Sequence, residues 1–170
     1  FLNNRILITG ALGQLGQFFI DSLINQGNYV LATDVKNSND LNCDFEIFDV
    51  HDLKKGDELI KKYKINQVYN FAAILSAKGE INPAKTWDLN NAGFFNILDI
   101  CLKNKINKIF WPSSIAVFGK NSNLNFASID EPMCPETIYG ASKLACEKAM
   151  YYYNFKNIID IRSLRFPGIV

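Results

Sequence analysis

The chain has 170 residues, a net charge of +1 and 48% hydrophobic residues. That length fits one domain with a proper core, and the balanced charge argues against nucleic acid or an anionic membrane surface as a partner. No apolar run approaches the ~20 residues needed to cross a bilayer. Four scattered cysteines (Cys43, Cys101, Cys134, Cys146) and a single histidine suggest neither a disulfide framework nor a zinc site.

Ile6, Leu7 and Ile8 form a short apolar run that reads as a buried strand. Gly10, Gly13 and Gly16 follow at three-residue spacing, then an amphipathic helix from Gln17 to Gln26. A strand, a tight glycine turn and a helix start make a dinucleotide site. Gly10 lets the chain turn sharply, Gly13 lets a phosphate approach the main chain, and Gly16 lets the helix pack close to the strand. The free N–H groups at the helix start then face a pyrophosphate, so the turn residues Leu12, Gln14 and Leu15 join the glycines as cofactor-binding candidates.

Tyr29 to Asp34 is a second strand ending in an acid. Asp34 lies 24 positions after Gly10, near the spacing where a carboxylate holds the adenosine ribose hydroxyls. An acid there favours NAD over NADP, because it repels a 2′-phosphate; Lys36 weakens that preference slightly. The plain alternative for Asp34 is a solvated loop acid.

Val35 to Cys43 is a polar loop, Phe45 to Val50 a third strand ending in Asp49-Val50, and Leu53 to Tyr63 a charged amphipathic helix. His51 reads as a surface loop residue, since no partner acid or thiol recurs near it in a motif. Gln67 to Phe71 is a fourth strand. Ala72 and Ala73 follow it and let a flat ligand lie against the backbone at a switch point of the sheet; plain core packing explains them equally. Ser76 to Pro83 is a polar loop leading into a helix.

Trp87 to Lys103 is the longest helical stretch, and its apolar residues spread around most of its circumference. Such a helix is buried on two sides, one against the sheet and one against a partner. Lys108 to Trp111 is a fifth strand, 120–135 a long polar loop, and 137–155 a further helix. Tyr151, Tyr152 and Tyr153 cannot all face one core, which puts some of them at an interface. Ile158 to Phe166 is a sixth strand. The alternation of strands and helices means an α/β fold, a doubly wound parallel sheet of Rossmann-like order 3-2-1-4-5-6, in one dinucleotide-binding domain over residues 1–170. The helices at 87–103 and 137–155 are the expected contacts of a homodimer.

Tyr139 and Lys143 are four apart on one helix and share a face. The Lys143 ammonium is expected to favour the Tyr139 phenolate, drawing its pKa down from ~10. A phenolate takes a proton from a substrate alcohol as the carbon is oxidised. Ser114, at the end of the neighbouring strand, is placed to hydrogen-bond the same oxygen. Alone, such a pair is a common surface coincidence; joined to the glycine turn, Asp34 and Ser114 it is specific.

With these motifs the sequence resembles an extended short-chain dehydrogenase/reductase. Thr9 to Gly16 matches that group's Gly-x-x-Gly-x-x-Gly, Asp49-Val50 the pair that contacts adenine, Asn90-x-x-Gly93 its helix motif, and Tyr139 to Lys143 its Tyr-x-x-x-Lys. Three further segments, Leu75 to Glu80, Trp111 to Gly119 and Arg162 to Val170, resemble the short-chain type of L-threonine 3-dehydrogenase. That resemblance implies NAD-dependent oxidation of L-threonine to 2-amino-3-oxobutanoate. It implies Tyr139 as general base, Lys143 as the ribose-holding cation, and Ser114, often Thr in the family, as the group that polarises the hydroxyl. It implies Ser76 against the substrate, Pro167-Gly168 near the nicotinamide carboxamide, and Phe71, Ala72, Ala73, Leu75 and Asn90 among the cofactor-binding residues. Lys120 departs from a Pro common in the family.

Such enzymes continue into a small C-terminal substrate-binding domain; these 170 residues are expected to be the N-terminal, cofactor-holding portion of such a protein, without that domain and with reduced or no activity alone. The rival readings are an NAD-dependent nucleotide-sugar epimerase, which shares the cofactor apparatus, and a dinucleotide-binding regulator without turnover, which usually loses the tyrosine or lysine. Scattered Cys and His argue against a zinc-dependent threonine dehydrogenase. The cysteine usage suits a reducing compartment, and bacterial cytoplasm and mitochondrial matrix both fit.

Overall fold

The computed structural model describes residues 4–123, 128 and 131–168. In chain order it runs β1 (Arg5–Thr9), α1 (Gln14–Asn25), β2 (Tyr29–Asp34), β3 (Asp44–Ile47), α2 (Leu53–Lys62), β4 (Gln67–Asn70), α3 (Ser76–Gly79), α4 (Pro83–Trp87), α5 (Gly93–Lys103), β5 (Lys108–Phe110), β6 (Ser113–Ser114), α6 (Ile138–Phe155), β7 (Asp160–Arg162) and β8 (Arg165–Phe166). A π-helical turn, Asp88–Ala92, joins α4 to α5, and a 3₁₀ turn, Ile115–Val117, follows β6.

Every strand of the main sheet is parallel, in the order β3-β2-β1-β4-β5-β7. This is the expected doubly wound order, with β7 as sixth strand. Alternation along β1 splits the core between the two faces. Leu7, with Leu31, Val68, Ile109 and Ile161, meets α2, α5 and α6; Ile6 and Ile8, with Val30 and Ala32, meet Ile20 and Leu23 of α1.

The strand read over 158–166 is two strands. The gap falls opposite Trp111 and Pro112, where Trp111 N still donates to Arg162 O at 3.0 Å and Ser113 N to Leu164 O at 2.8 Å. β6 and β8 pair beyond this gap in an unchanged register, Ser113 with Arg165 and Ser114 with Phe166.

Helix α1 starts three residues before the sequence reading, at Gln14, because Gly13 is its N-cap. The loop read over 76–83 contains α3, and the helix read from Trp87 begins at Pro83, where the Asn82 side chain accepts from Lys85 N. Parts of the loop read over 120–135, at 124–127 and 129–130, lie outside the described residues, as do Ile169 and Val170. The surfaces of α4, α5 and α6 leave Trp87, Phe95, Tyr151, Tyr152 and Phe155 exposed, while Tyr153 packs against the core.

Candidate active site

The carboxyl ends of the strands build the site, starting with the turn after β1. Gly10 has φ +63° there, and a Cβ on it would stand 2.7 Å from Ala72 N. A side chain is excluded on both grounds, so the turn can lie directly against the end of β4. Thr9 locks that contact: its Oγ1 donates to Asn70 Oδ1 at 2.6 Å and accepts from Ala72 N at 3.3 Å. Helix α1 then begins at Gly13 without any side-chain cap. Its first-turn N–H groups remain for a ligand, and with the helix dipole they suit a pyrophosphate.

Two clefts meet at this turn. The smaller, about 200 Å³, is lined by Asp34, Asp49, Val50, Phe71, Ala72 and Ala73 together with Gly10 and Gly13. One oxygen of Asp34 accepts from Leu12 N at 3.1 Å and the other from Lys36 N at 3.2 Å, which fixes the carboxylate at the lip of the cleft. The larger cleft, about 630 Å³, runs from Gly13, Gln14, Leu15 and Gly16 past Phe71, Ala73 and Leu75 to Ser76, Ser114, Tyr139 and Pro167. Gly10, Gly13, Phe71 and Ala73 line both. A single extended ligand with a central anion therefore fits: one arm by Asp34, one by Tyr139, and its phosphates at the helix start. These residues fit a dinucleotide.

Ser114 and Tyr139 line the same end of the larger cleft, near enough that the Ser114 hydroxyl lowers the pKa of the phenol. Ser114 Oγ accepts from Ala116 N at 3.1 Å, which leaves its O–H free to donate into the cleft. Tyr139 reaches this position because α6 begins hard against the 3₁₀ turn. A Cβ on Gly140 would lie 2.1 Å from Ala116 O, so only glycine permits that approach. Thr137 caps the helix by accepting from Gly140 N at 3.0 Å, and Glu80 Oε1 accepts from Ile138 N at 2.9 Å.

Lys143 is 2% exposed, with Nζ donating to Pro112 O at 2.7 Å and lying 4.0 Å from the Trp111 ring centroid. Burial pulls its pKa down to about 8, against the smaller opposing pull of Cys146 and Glu147. The expected lowering of the Tyr139 pKa is corrected here. Burial pushes that phenol up, and the force opposing it is the Ser114 hydroxyl. The Lys143 ammonium is 5.5 Å from the phenol ring centroid and committed to the Pro112 carbonyl.

Asn90 is close to the site but faces away from the clefts. Its Oδ1 accepts from Ile74 N at 2.8 Å, and its Nδ2 donates to Ile74 O and to Ser142 Oγ, both at 3.1 Å. Ser142 in turn donates to Tyr139 O at 2.7 Å. Asn90 thus ties the segment after β4 to the helix that carries Tyr139 and Lys143. The π turn that presents Asn90, the brace through Ser142 and the Glu80 cap carry no spacing signal in the sequence. His51 lies outside the clefts, its Nε2 3.5 Å from the exposed Asp88 carboxylate. Among the described residues, no group of three or more His, Cys, Asp or Glu could hold a metal ion, and no helix is long and apolar enough to cross a membrane.

A parallel doubly wound sheet, a glycine turn at its first crossover, and Ser114 and Tyr139 on one cleft with Lys143 buried behind them define a dinucleotide-binding fold of the short-chain dehydrogenase kind. Residues 6–169 match the NAD dependent epimerase/dehydratase family, and the chain belongs to it. It is 38% identical to an uncharacterised epimerase/dehydratase of Staphylococcus saprophyticus, over 98% of this chain and 53% of that one. Among solved structures, it is similar to the L-threonine dehydrogenase of Clostridium difficile, with a TM-score of 0.90 and 38% identity over 98% of this chain and 54% of that one. It is also similar to the holo form of a GalE-like L-threonine dehydrogenase from Cupriavidus necator, with a TM-score of 0.93 and 34% identity over 96% and 55% of the two chains. The chain thus spans about half the length of the relatives it matches.

Proposed function

We propose that the full-length protein oxidises the secondary alcohol of L-threonine to 2-amino-3-oxobutanoate, with NAD as cofactor. The observation that carries this reading is that Ser114 and Tyr139 line one end of the larger cleft, beside Ser76 and continuous with the glycine turn. Similarity to threonine dehydrogenases supports the choice of substrate. NAD bound across the turn supplies the electron acceptor and a positive ring that favours the Tyr139 phenolate. Tyr139 then accepts the proton of the substrate hydroxyl. Ser114 holds that oxygen in line by donating to it, and Ser76 borders the space where the rest of the substrate lies. Lys143 keeps a cation behind the tyrosine. Asp34 favours NAD over NADP by repelling a 2′-phosphate.

The groups that hold the threonine carboxylate and ammonium belong, in this reading, to the part of the relatives' length that these 170 residues do not span. A homodimer through 87–103 and 137–155 is part of the same proposal, supported by the exposed Trp87, Phe95, Tyr151, Tyr152 and Phe155. A sedimentation mass of one chain for the full-length protein would remove it.

The second reading is an NAD-dependent nucleotide-sugar epimerase, favoured by the family to which the chain belongs and by the naming of its relatives. One assay decides between the two. Full-length protein is given NAD with L-threonine or with UDP-galactose. NADH accumulating with threonine alone supports the dehydrogenase; UDP-glucose formed without NADH overturns it.

A further inference from the structure

Outside the cofactor cleft, behind its catalytic wall, lies a charged cluster to which the proposed reaction gives no role. Glu147 sits one turn beyond Lys143 on α6, with only 14% of its side chain exposed. It accepts three hydrogen bonds: from Ser113 Oγ at 2.5 Å and Arg165 Nε at 3.0 Å on Oε1, and from Arg165 Nη2 at 2.9 Å on Oε2. Arg165 is itself held from its other side. Its Nη2 lies 3.0 Å from Met133 Sδ, and its guanidinium 5.0 Å from the Phe118 ring centroid.

A mostly buried ion pair is weak evidence for stability, since desolvation offsets much of the attraction. What distinguishes this one is the position of its partners. Ser113 immediately precedes Ser114. Arg165 immediately precedes Phe166 and Pro167, which line the cleft. Glu147 shares its helix with Tyr139 and Lys143. The strands that carry the first two partners, β6 and β8, are only two residues long and lie past the break at Pro112. Backbone pairing this short fixes their position poorly. A forked arginine–carboxylate contact is planar and directional, and here one carboxylate grips both strands.

We propose that Glu147, clamped by Arg165 and Ser113, is a positioning residue that sets the Ser114 hydroxyl and the Phe166–Pro167 segment against Tyr139. The proposal rests on reading the cleft as a dehydrogenase site. Its physical basis is that a misplacement of about 1 Å between reacting groups costs on the order of 10²-fold in rate, and three separate segments must agree here.

The test uses the full-length protein and the double variant Glu147→Met/Arg165→Met, which replaces the pair with apolar groups and leaves no charge unpaired. Ser113→Ala, which deletes a single hydrogen bond, is the second variant. Four quantities are measured: melting temperature, NADH affinity, the emission of bound NADH, and threonine turnover. The double variant is expected to keep its melting temperature and NADH affinity while kcat falls on the order of 10²-fold and KM changes little. Bound-NADH emission shifts, because the nicotinamide end of the cleft is no longer held, and Ser113→Ala shifts it in the same direction. Wild-type kcat in the double variant overturns the proposal. So does a loss of rate that follows a loss of melting temperature and NADH affinity, since the pair then serves stability alone. If the wild-type protein binds NADH but never oxidises threonine, the substrate reading fails on its own. Emission then decides: a shift in both variants supports the positioning role, and unchanged emission overturns it.

Discussion

The two arms of the cleft are held by different physics. Around the glycine turn, order comes from the main chain: a positive φ at Gly10, a backbone approach that admits no Cβ, and an uncapped helix start. At the Tyr139 arm it comes from buried polar side chains: Lys143 on the Pro112 carbonyl, Asn90 on Ile74 and Ser142, and Glu147 on Ser113 and Arg165. A phosphate site needs only N–H groups that point the right way, which backbone geometry provides. Proton transfer needs one oxygen fixed and its pKa controlled, and that requires side chains in a dry setting.

The contrast breaks most cleanly at Tyr139. Tyr139→Phe keeps the ring and removes the oxygen. Turnover should fall on the order of 10²- to 10⁴-fold, with NADH affinity unchanged in a fluorescence titration. Activity that survives the substitution would remove Tyr139 from the chemistry.

Lys143 offers a break of similar size, read in stability. Its pKa is about 8 in the folded chain against 10.5 for a free lysine. Below pH 8 the amine is protonated in both states, and folding carries the full cost of burying the charge. Between pH 8 and 10.5 the unfolded chain holds the extra proton, so Lys143 makes stability rise with pH. The rise should total about 3 kcal/mol. It is lost again as pH falls from 10.5 to 8. Cys146 and Tyr139 have raised pKa values in the folded chain and add their own pH dependence as the unfolded chain loses those protons, so the comparison is with Lys143→Met. Denaturant unfolding of the two proteins at several pH values should show a rising difference across this window; parallel curves would mean that Lys143 is not buried as a cation.

A smaller effect is expected at Asn90. Asn90→Ala leaves Ile74 and Ser142 without their partners and should cost about 2 kcal/mol, seen as a lowered melting temperature. Turnover should drop with it, because Ser142 holds the first turn of the Tyr139 helix. A loss confined to NADH affinity would instead put the Asn90 side chain on the cofactor.

The same division governs what could be read from the sequence. The glycine turn is legible because its parts are contiguous and each glycine answers a local backbone demand. The strand order is legible because alternating strands and helices leave few ways to wind a parallel sheet. Tyr139 and Lys143 are legible because one helical turn joins them. What supports them is not, because Asn90 lies 52 residues from Ser142, and Ser113 34 from Glu147. No local period announces such pairs. The division of the strand read over 158–166 is of the same kind, since the pairing that defines β7 and β8 is with a distant segment, 108–114. The tyrosine pKa was read with the wrong sign because spacing shows that Lys143 is near but not that its ammonium is bound to a carbonyl.

The finest test lies where the two kinds of support meet, at Asp34. Its carboxylate belongs to the main-chain arm: it accepts from Leu12 N and Lys36 N and so holds the glycine turn to the end of β2. It also lines the smaller cleft, where the proposed NAD would place its adenosine ribose. Asp34→Asn keeps an acceptor for Leu12 N and removes the charge. If charge repulsion sets cofactor choice, the ratio of NAD to NADP affinity should narrow by about tenfold, an exposed-site effect of ~1 kcal/mol, while the melting temperature barely moves. The narrowing should also shrink in high salt, since a half-buried carboxylate is partly screened. If instead the residue acts through the turn, both affinities should fall together and the ratio should hold. That outcome would make the adenosine arm a purely main-chain device and leave cofactor selection to Lys36 and the loop beyond it.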